Sequence, residues 1–201
     1  MSRKDSDLTG KARIFSNVLT GWVSYLVFFI AGFFLPRLIS DQLGQTALGI
    51  WDLSWSIVNY LSFAALGIGS SLNRYIAKFR AEGNSEALSD AVSTVVAIQI
   101  VLSALIFMAT LVIAFYLPQM MGGRLGDDTD MAQQVVFFLG LSISLQFLFD
   151  TSRGVLTGCH RWDLFNGLNA FCYMISVALM ITALYMGYRL EAISFVYMMI
   201  T

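Results

Sequence analysis

The sequence predicts an all-α membrane protein, a polytopic bundle of transmembrane helices. Hydrophobic residues make up 57% of the 201 residues and charged residues only 12%, and the apolar residues gather into stretches of ~24 residues. A helix of roughly 20 residues, rising about 1.5 Å per residue, spans the ~30 Å hydrocarbon layer of a bilayer. Because a water-soluble core of this size could not enclose so much apolar surface, we expect the helices to face lipid.

The first element is expected to be a retained helix rather than a cleaved signal peptide. Basic residues precede an apolar run at about 14–38, as in a signal peptide. The run is too long for the apolar region of such a peptide, however, and it continues into Pro36 and Arg37. The sequence therefore predicts a cytoplasmic N-terminus over residues 1–13 and a transmembrane lobe over residues 14–201.

Five more apolar stretches follow the first. They lie at about 47–69, 92–117, 133–156, 164–187 and 190–201. The sixth span is shorter than a bilayer requires, so we expect it to be incomplete and the chain to be the N-terminal half of a longer protein. Because six crossings return the chain to its starting side, a second half would repeat the first about an axis along the membrane normal.

The distribution of basic residues predicts the orientation of the bundle. With the N-terminus inside, nine of the twelve basic residues lie on or near the cytoplasmic side, and Arg37, Arg124 and Arg189 lie outside. The positive-inside bias favours this topology over its inverse. A net charge of −1 gives no bulk attraction to nucleic acid. Membrane lipids are therefore expected partners, and nucleic acid is not.

Polar side chains within the fourth span share one face, which indicates that this face meets protein or water. An ionised side chain near mid-bilayer costs roughly 2.5–3.5 kcal/mol on insertion scales. Spacings of three and four confine the polar residues of this span to a narrow stripe, namely Ser142, Gln146, Asp150, Arg153 and Thr157. Asp150 and Arg153 can pair at this spacing. Two interpretations stay open: an ion pair that anchors the helix at the inner boundary, and a cavity-lining pair that meets substrate or carries a proton.

The other spans carry polar faces as well. In the second span Asp52, Ser56 and Asn59 share a face. Two interpretations of Asp52 stay open, an acid that complements the helix dipole and a cavity-lining group, and Asn59 needs a partner for its amide. In the third span Gln99, Ser103 and Thr110 share a face that is expected to serve helix packing. The remaining candidate cavity-lining residues are Asn17, Arg37, Asn166 and Asn169. If these faces converge, the helices enclose a polar cavity of the kind that transporters contain.

Catalytic and metal-binding constellations are absent from the sequence. His160 is the single histidine, and Cys159 and Cys172 are expected to be free thiols. There is no Gly-rich phosphate loop and no nucleophile elbow. We therefore expect no enzyme, no cofactor and no metal site, with proton or sodium exchange as the energy source for transport.

Four segments carry a family resemblance. They are residues 43–51 (LGQTALGIW), residues 56–60 (SIVNY), residues 66–77 (LGIGSSLNRYIA) and residues 154–163 (GVLTGCHRWD) with Asn166 beyond. With these segments the chain resembles the N-terminal half of the polysaccharide-biosynthesis, or O-antigen, flippases. These flippases of lipid-linked oligosaccharide belong to the multidrug/oligosaccharidyl-lipid/polysaccharide exporter superfamily.

The resemblance implies that this chain is the N-terminal six-helix lobe of a two-lobe transporter in the bacterial inner membrane. It implies alternating-access export of undecaprenyl-diphosphate-linked oligosaccharide or polysaccharide repeat units, with a C-terminal lobe and glycan-assembly proteins as partners. The cavities of the family are typically cationic, and this lobe offers Arg153 and Arg37 as basic groups. Arg153 is expected to contact the diphosphate, or to pair with Asp150 until substrate arrives. The alternatives are a cation-coupled multidrug exporter, a lipid II flippase and, more distantly, an integral-membrane glycan polymerase or ligase.

Overall fold

The computed structural model describes residues 11–63, 75, 78–79, 82–83, 85–158 and 161–200. Within these residues the chain is helical and contains no strand, so the all-α prediction is confirmed. The helices are α1 (Lys11–Leu43), α2 (Gln45–Ser62), α3 (Ser85–Leu125), α4 (Thr129–Gly158), α5 (Trp162–Tyr185) and α6 (Leu190–Ile200). The described part does not include residues 1–10, most of the segment between α2 and α3, or residues 159–160. The start of the predicted N-terminal segment and the end of the second predicted span therefore lie outside it.

Three stretches of the described chain are long and apolar enough to cross a membrane. They are Phe15–Leu43, Ser85–Gly158 and Trp162–Tyr185. The second contains 74 residues, more than twice the length of one crossing. It consists of α3 and α4, which pack side by side because the chain reverses at the 3-10 turn Gly126–Asp128. The prediction of apolar spanning helices is confirmed for these stretches, and the count of six spans stays a prediction.

Helix α1 continues beyond the boundary that the sequence predicts. Pro36 lies inside the helix, where it removes one backbone hydrogen bond. The helix persists because Leu35 and Ile39 on either side are buried in the core. It ends where Gly44 adopts a φ of 91°, a left-handed conformation that glycine tolerates. Pro36 therefore marks a missing backbone hydrogen bond within α1 rather than the end of the first span.

Helix α4 is the central helix of the bundle. It packs against α2, α3 and α6, and Ala132, Val135 and Leu139 in its first half are fully buried. Helix α4 approaches α3 closely at Gly140, where an added Cβ would lie 2.9 Å from the Cβ of Thr110 and closer still to the rest of that side chain. A small residue at this position therefore allows the two backbones to approach.

The α3 face predicted to serve packing does meet α4. Gln99, Ser103 and Thr110 are all buried, and the Ser103 hydroxyl donates to the backbone oxygen of Ser144, 2.7 Å away. A polar side chain in hydrocarbon needs such a partner. The third polar face therefore joins two helices instead of lining a cavity.

The helices form two closely packed pairs. Helix α1 packs along α5, and α3 packs along α4, whereas α4 and α5 touch only sparsely. Helices α2 and α6 pack on both sides of this division and connect the pairs. The separation of α4 from α5 leaves a space between them, and the polar residues of α4 border it.

Candidate functional site

A cavity of about 660 Å³ lies between α4 and α5, with side chains of α1 and α6 completing its wall. Four of the residues that the sequence predicts as cavity-lining are brought together here: Gln146, Asp150 and Arg153 on α4, and Asn169 on α5. Cys172 on α5 also lines the cavity, and its thiol is free. The polar stripe of α4 and part of the polar face of α5 therefore converge on one space.

Aromatic side chains form much of the remaining lining. Phe28, Phe149, Phe165, Tyr173 and Tyr197 border the cavity. The rings of Phe28 and Tyr173 meet with their centroids 4.3 Å apart, so the cavity wall between α1 and α5 is closed by ring contact. The cavity is thus amphipathic, with one polar stripe between apolar and aromatic walls.

Arg153 reaches from α4 to α5 across the mouth of the cavity. Its guanidinium carbon lies 5.0 Å from the ring centre of Phe165, within the range of a cation–π interaction. Its Nη1 lies 3.7 Å from Oδ1 of Asp150, well beyond the ~2.8 Å of a charge-assisted hydrogen bond. The Arg153 side chain is 58% exposed and the Asp150 side chain 25%. The ion pair is therefore loose, and the arginine stays accessible to another anion.

The second oxygen of the Asp150 carboxylate faces α3. The Gln99 side-chain amide donates to Oδ2 at 3.5 Å, and Gln99 Oε1 accepts a hydrogen bond from the Thr151 hydroxyl. Gln99 is only 2% exposed. The sequence indicates that Gln99 faces another helix, but only the register of α3 against α4 identifies Asp150 as its partner.

Asn17 and Asn166 lie at the contact between α1 and α5 rather than in the cavity lining. The Asn17 side-chain oxygen accepts a hydrogen bond from the backbone N–H of Asp163, 2.8 Å away, in the first turn of α5. The Ser24 hydroxyl donates to the backbone oxygen of Asn166 at 2.9 Å. Asn17 thus supplies an acceptor to one of the N–H groups that a helix start leaves without an intrahelical partner.

Replacing Asn17 by alanine is expected to lower the stability of the bundle by about 1 kcal/mol, because the first turn of α5 loses its acceptor. The measurement is the melting temperature in detergent. Ser56→Ala is the matched control, since the Ser56 hydroxyl is exposed and bonds only the backbone of its own helix. Equal melting temperatures for the two variants would contradict the capping role.

Arg37, Asp52 and Asn59 are not brought to this cavity. Arg37 pairs with Asp41 at 3.7 Å, and both side chains are largely exposed. Asp52 and Asn59 lie on the exposed face of α2, because the opposite face, which includes Val58, packs into the core. They form a second polar surface, the α2 polar face, separate from the cavity.

Metal-ligating side chains do not cluster in the part of the chain that the structure describes. Cys172 is free and exposed, whereas Cys159 and His160 lie outside the described residues. The polar stripe in the cavity wall carries one carboxylate, one guanidinium and two amides, a set suited to binding polar groups reversibly.

Apolar helices that are long enough to cross a membrane, arranged around an amphipathic cavity, are typical of the class of membrane transporters. Residues 15–182 match the MatE family model, so the chain belongs to the MatE family, within the multidrug/oligosaccharidyl-lipid/polysaccharide exporter superfamily. The superfamily that the sequence motifs predicted is thus confirmed. MatE proteins are exporters rather than enzymes and are multi-pass membrane proteins. The comparisons with curated proteins and with solved structures gave no match.

Proposed function

We propose that the protein exports lipid-linked oligosaccharide, binding the undecaprenyl-diphosphate headgroup or its repeat unit in the cavity between α4 and α5. The observation that carries the proposal is the position of Arg153. Its side chain is more than half exposed, and its guanidinium lies over the Phe165 ring and is only loosely paired with Asp150. Arginine binds phosphate oxygens through two parallel N–H donors. An accessible arginine beside apolar and aromatic walls suits a diphosphate attached to a lipid.

The rest of the lining suits the sugar part of such a substrate. The amides of Gln146 and Asn169 each offer a donor and an acceptor to sugar hydroxyls. The aromatic rings of Phe28, Phe149 and Tyr173 offer apolar faces to sugar rings and isoprenoid chain. The cavity can therefore bind both the polar and the apolar parts of an amphiphile.

The α2 polar face supports the proposal of a two-lobe transporter in the bacterial inner membrane with this chain as the N-terminal lobe. Asp52 and Asn59 are exposed on a helix whose other face is packed in the bundle. Such side chains are unfavourable against lipid and favour contact with protein or water. A C-terminal lobe facing α2 across a water-filled space would satisfy them, and alternating access would follow from rocking of the two lobes.

Asp150 is the group that we propose for energy coupling. When a phosphate takes Arg153, the Asp150 carboxylate loses its cationic neighbour and becomes available to a proton or a sodium ion. Carboxylates within membrane spans commonly serve such relays. Because the cation and the substrate would then occupy the cavity together, a cation gradient would be coupled to movement of the substrate.

A cation-coupled multidrug exporter is the second candidate, and the aromatic lining favours it. Phe149, Phe165 and Tyr197 surround one acidic and one basic group, so an apolar cationic drug could stack on the rings and pair with Asp150. A lipid II flippase shares the diphosphate chemistry of the leading proposal. The glycan polymerase or ligase receives no support, because MatE proteins are transporters.

A transport assay in proteoliposomes tests the proposed function. The protein is reconstituted with a fluorescent undecaprenyl-diphosphate-linked glycan, and headgroup exposure is followed with and without a proton or sodium gradient. We expect protein-dependent exposure that one gradient accelerates. A parallel assay follows an apolar cationic dye. Transport of the dye without movement of the glycan would overturn the leading proposal and support the second candidate.

A further inference from the structure

We propose that Gln99, which lies outside the cavity on α3, is a positioning residue that restrains Asp150 and thereby keeps Arg153 available to an anionic headgroup. The inference deepens the proposed function and rests on it, because it concerns how strongly the same cavity binds a diphosphate. It assigns a role to a buried polar side chain that helix packing alone does not require.

The ion pair between Asp150 and Arg153 has a loose geometry. Asp150 and Arg153 are three residues apart on one helix face, where a close contact between their side chains is within reach. Their nearest atoms nevertheless stay 3.7 Å apart. A freely rotating carboxylate would close onto the guanidinium and form charge-assisted hydrogen bonds of ~2.8 Å. A second partner that holds the carboxylate would account for this separation.

Gln99 is the restraint that the geometry identifies. Its amide nitrogen faces Oδ2 of Asp150 at 3.5 Å, opposite to the oxygen that faces Arg153. The carboxylate is thus held between a donor on α3 and a cation in the cavity, and approach to one lengthens its distance to the other. Arg153 meanwhile lies over Phe165, which offers no hydrogen bond and leaves the guanidinium donors free for phosphate.

Thr151 fixes the orientation of the Gln99 amide. Its hydroxyl donates to Gln99 Oε1, so the opposite end of the amide, Nε2, points at Asp150. Both Thr151 and Gln99 are buried, where a misoriented amide would leave polar atoms without partners. The orientation is therefore stable, and the contact between Gln99 and Asp150 follows from it.

Loss of the Gln99 amide should let Asp150 close onto Arg153 and compete with the headgroup. The test measures this competition through Cys172, which lines the cavity, in a Cys159→Ser background. Farnesyl diphosphate is the probe, farnesol is its uncharged counterpart, and the readout is the probe concentration that halves alkylation of Cys172 by N-ethylmaleimide. We expect Gln99→Met to raise the half-protecting concentration of farnesyl diphosphate about five-fold. The half-protecting concentration of farnesol should stay unchanged.

A double-mutant cycle separates positioning from packing. In an Asp150→Asn background Gln99→Met should have no effect, since no carboxylate remains to be restrained. Thr151→Val should act in the same direction as Gln99→Met but more weakly, and it keeps the inference testable if Gln99→Met does not fold. Ser103→Ala, in the same α3–α4 interface, should leave protection unchanged.

The outcomes distinguish the inference from the function on which it rests. The positioning role alone would be overturned if farnesyl diphosphate protects Cys172 equally well in the parent protein and in Gln99→Met. It would also be overturned if Gln99→Met weakens this protection by the same factor with and without the Asp150 carboxylate. Absence of protection of the parent by farnesyl diphosphate, or equal protection by farnesol, would contradict the proposed anion site and the inference together. If Gln99→Met weakens protection by farnesyl diphosphate only when the Asp150 carboxylate is present, both the inference and the proposed anion site are supported.

Discussion

Replacing Arg153 by alanine is expected to lower export of lipid-linked glycan by at least about 30-fold without unfolding the protein. Among the residues that the structure describes around the cavity, Arg153 is the only cation. Each hydrogen bond to a charged group contributes about 1.5–3 kcal/mol. Loss of a contact with two such donors therefore accounts for a decrease in export of about 30-fold or more. The variant also leaves Asp150 without its cationic neighbour, and a lone carboxylate repels a diphosphate.

Two further arginine variants make this prediction specific. Arg153→Lys should retain part of the activity, because it keeps the charge but loses the planar pair of donors. Arg189→Ala is the matched control, since Arg189 is also exposed and also lies near an aspartate, at 4.0 Å from Asp128, but does not line the cavity. The proteoliposome assay measures all three. Export by Arg153→Ala at the rate of Arg189→Ala would refute the role of the guanidinium.

Replacing Gly140 by leucine is expected to be the most destabilising single change in the bundle. Even the first added atom would overlap the Thr110 side chain on α3, and Thr110 is itself buried. Overpacking typically costs about 1–3 kcal/mol, and here it also separates Gln99 from Asp150 and Ser103 from Ser144. We expect most of the variant to be lost from the folded fraction in detergent.

Gly32→Leu is the matched control for this variant. An added Cβ at Gly32 meets nothing within 4 Å, and leucine is a better helix former than glycine. Its melting temperature should therefore equal or exceed that of the parent. Folded yield and melting temperature by fluorescence-detected size-exclusion chromatography measure the difference. Equal stability of the two variants would mean that α3 and α4 do not approach closely at Gly140.

Much of the fold follows from the sequence because hydrocarbon imposes simple rules. Apolar length determines where helices occur, and the spacing of Gln146, Asp150 and Arg153 determines that they share a face. Helix boundaries follow less well. Helix α1 passes through Pro36 and ends at Leu43, because burial of the residues that flank Pro36 outweighs one missing hydrogen bond.

The partner of each polar face could not be predicted from the sequence, since it depends on how the helices are arranged around one another. Asn17 and Asn166 carry the same sequence signal as Asn169, an amide within an apolar span. The structure places the first two in the contact between α1 and α5 and the third in the cavity wall. Gln99 likewise gains its meaning only when α3 packs in register with α4.

The α2 polar face shows that the polar faces of the predicted spans do not all meet at one cavity. A polar residue in a span indicates contact with protein or water, but it does not indicate which contact. Asp52 and Asn59 share an exposed face as predicted, but neither of them lines the cavity. Arg37 is likewise remote from the cavity and lies beside Asp41. The predicted candidate residues therefore divide among the cavity, the α2 polar face, the contact between α1 and α5, and the exposed Arg37.

The claim that substrate binds between α4 and α5 is tested most directly by photo-crosslinking in native membranes. A photoreactive undecaprenyl-diphosphate-linked glycan is bound and irradiated, and the modified residues are mapped by mass spectrometry. We expect adducts within residues 145–156 and 165–173, reduced by excess unlabelled substrate and by Arg153→Ala. Adducts confined to the α2 polar face at Asp52 and Asn59, with none in these two ranges, would contradict the proposed site.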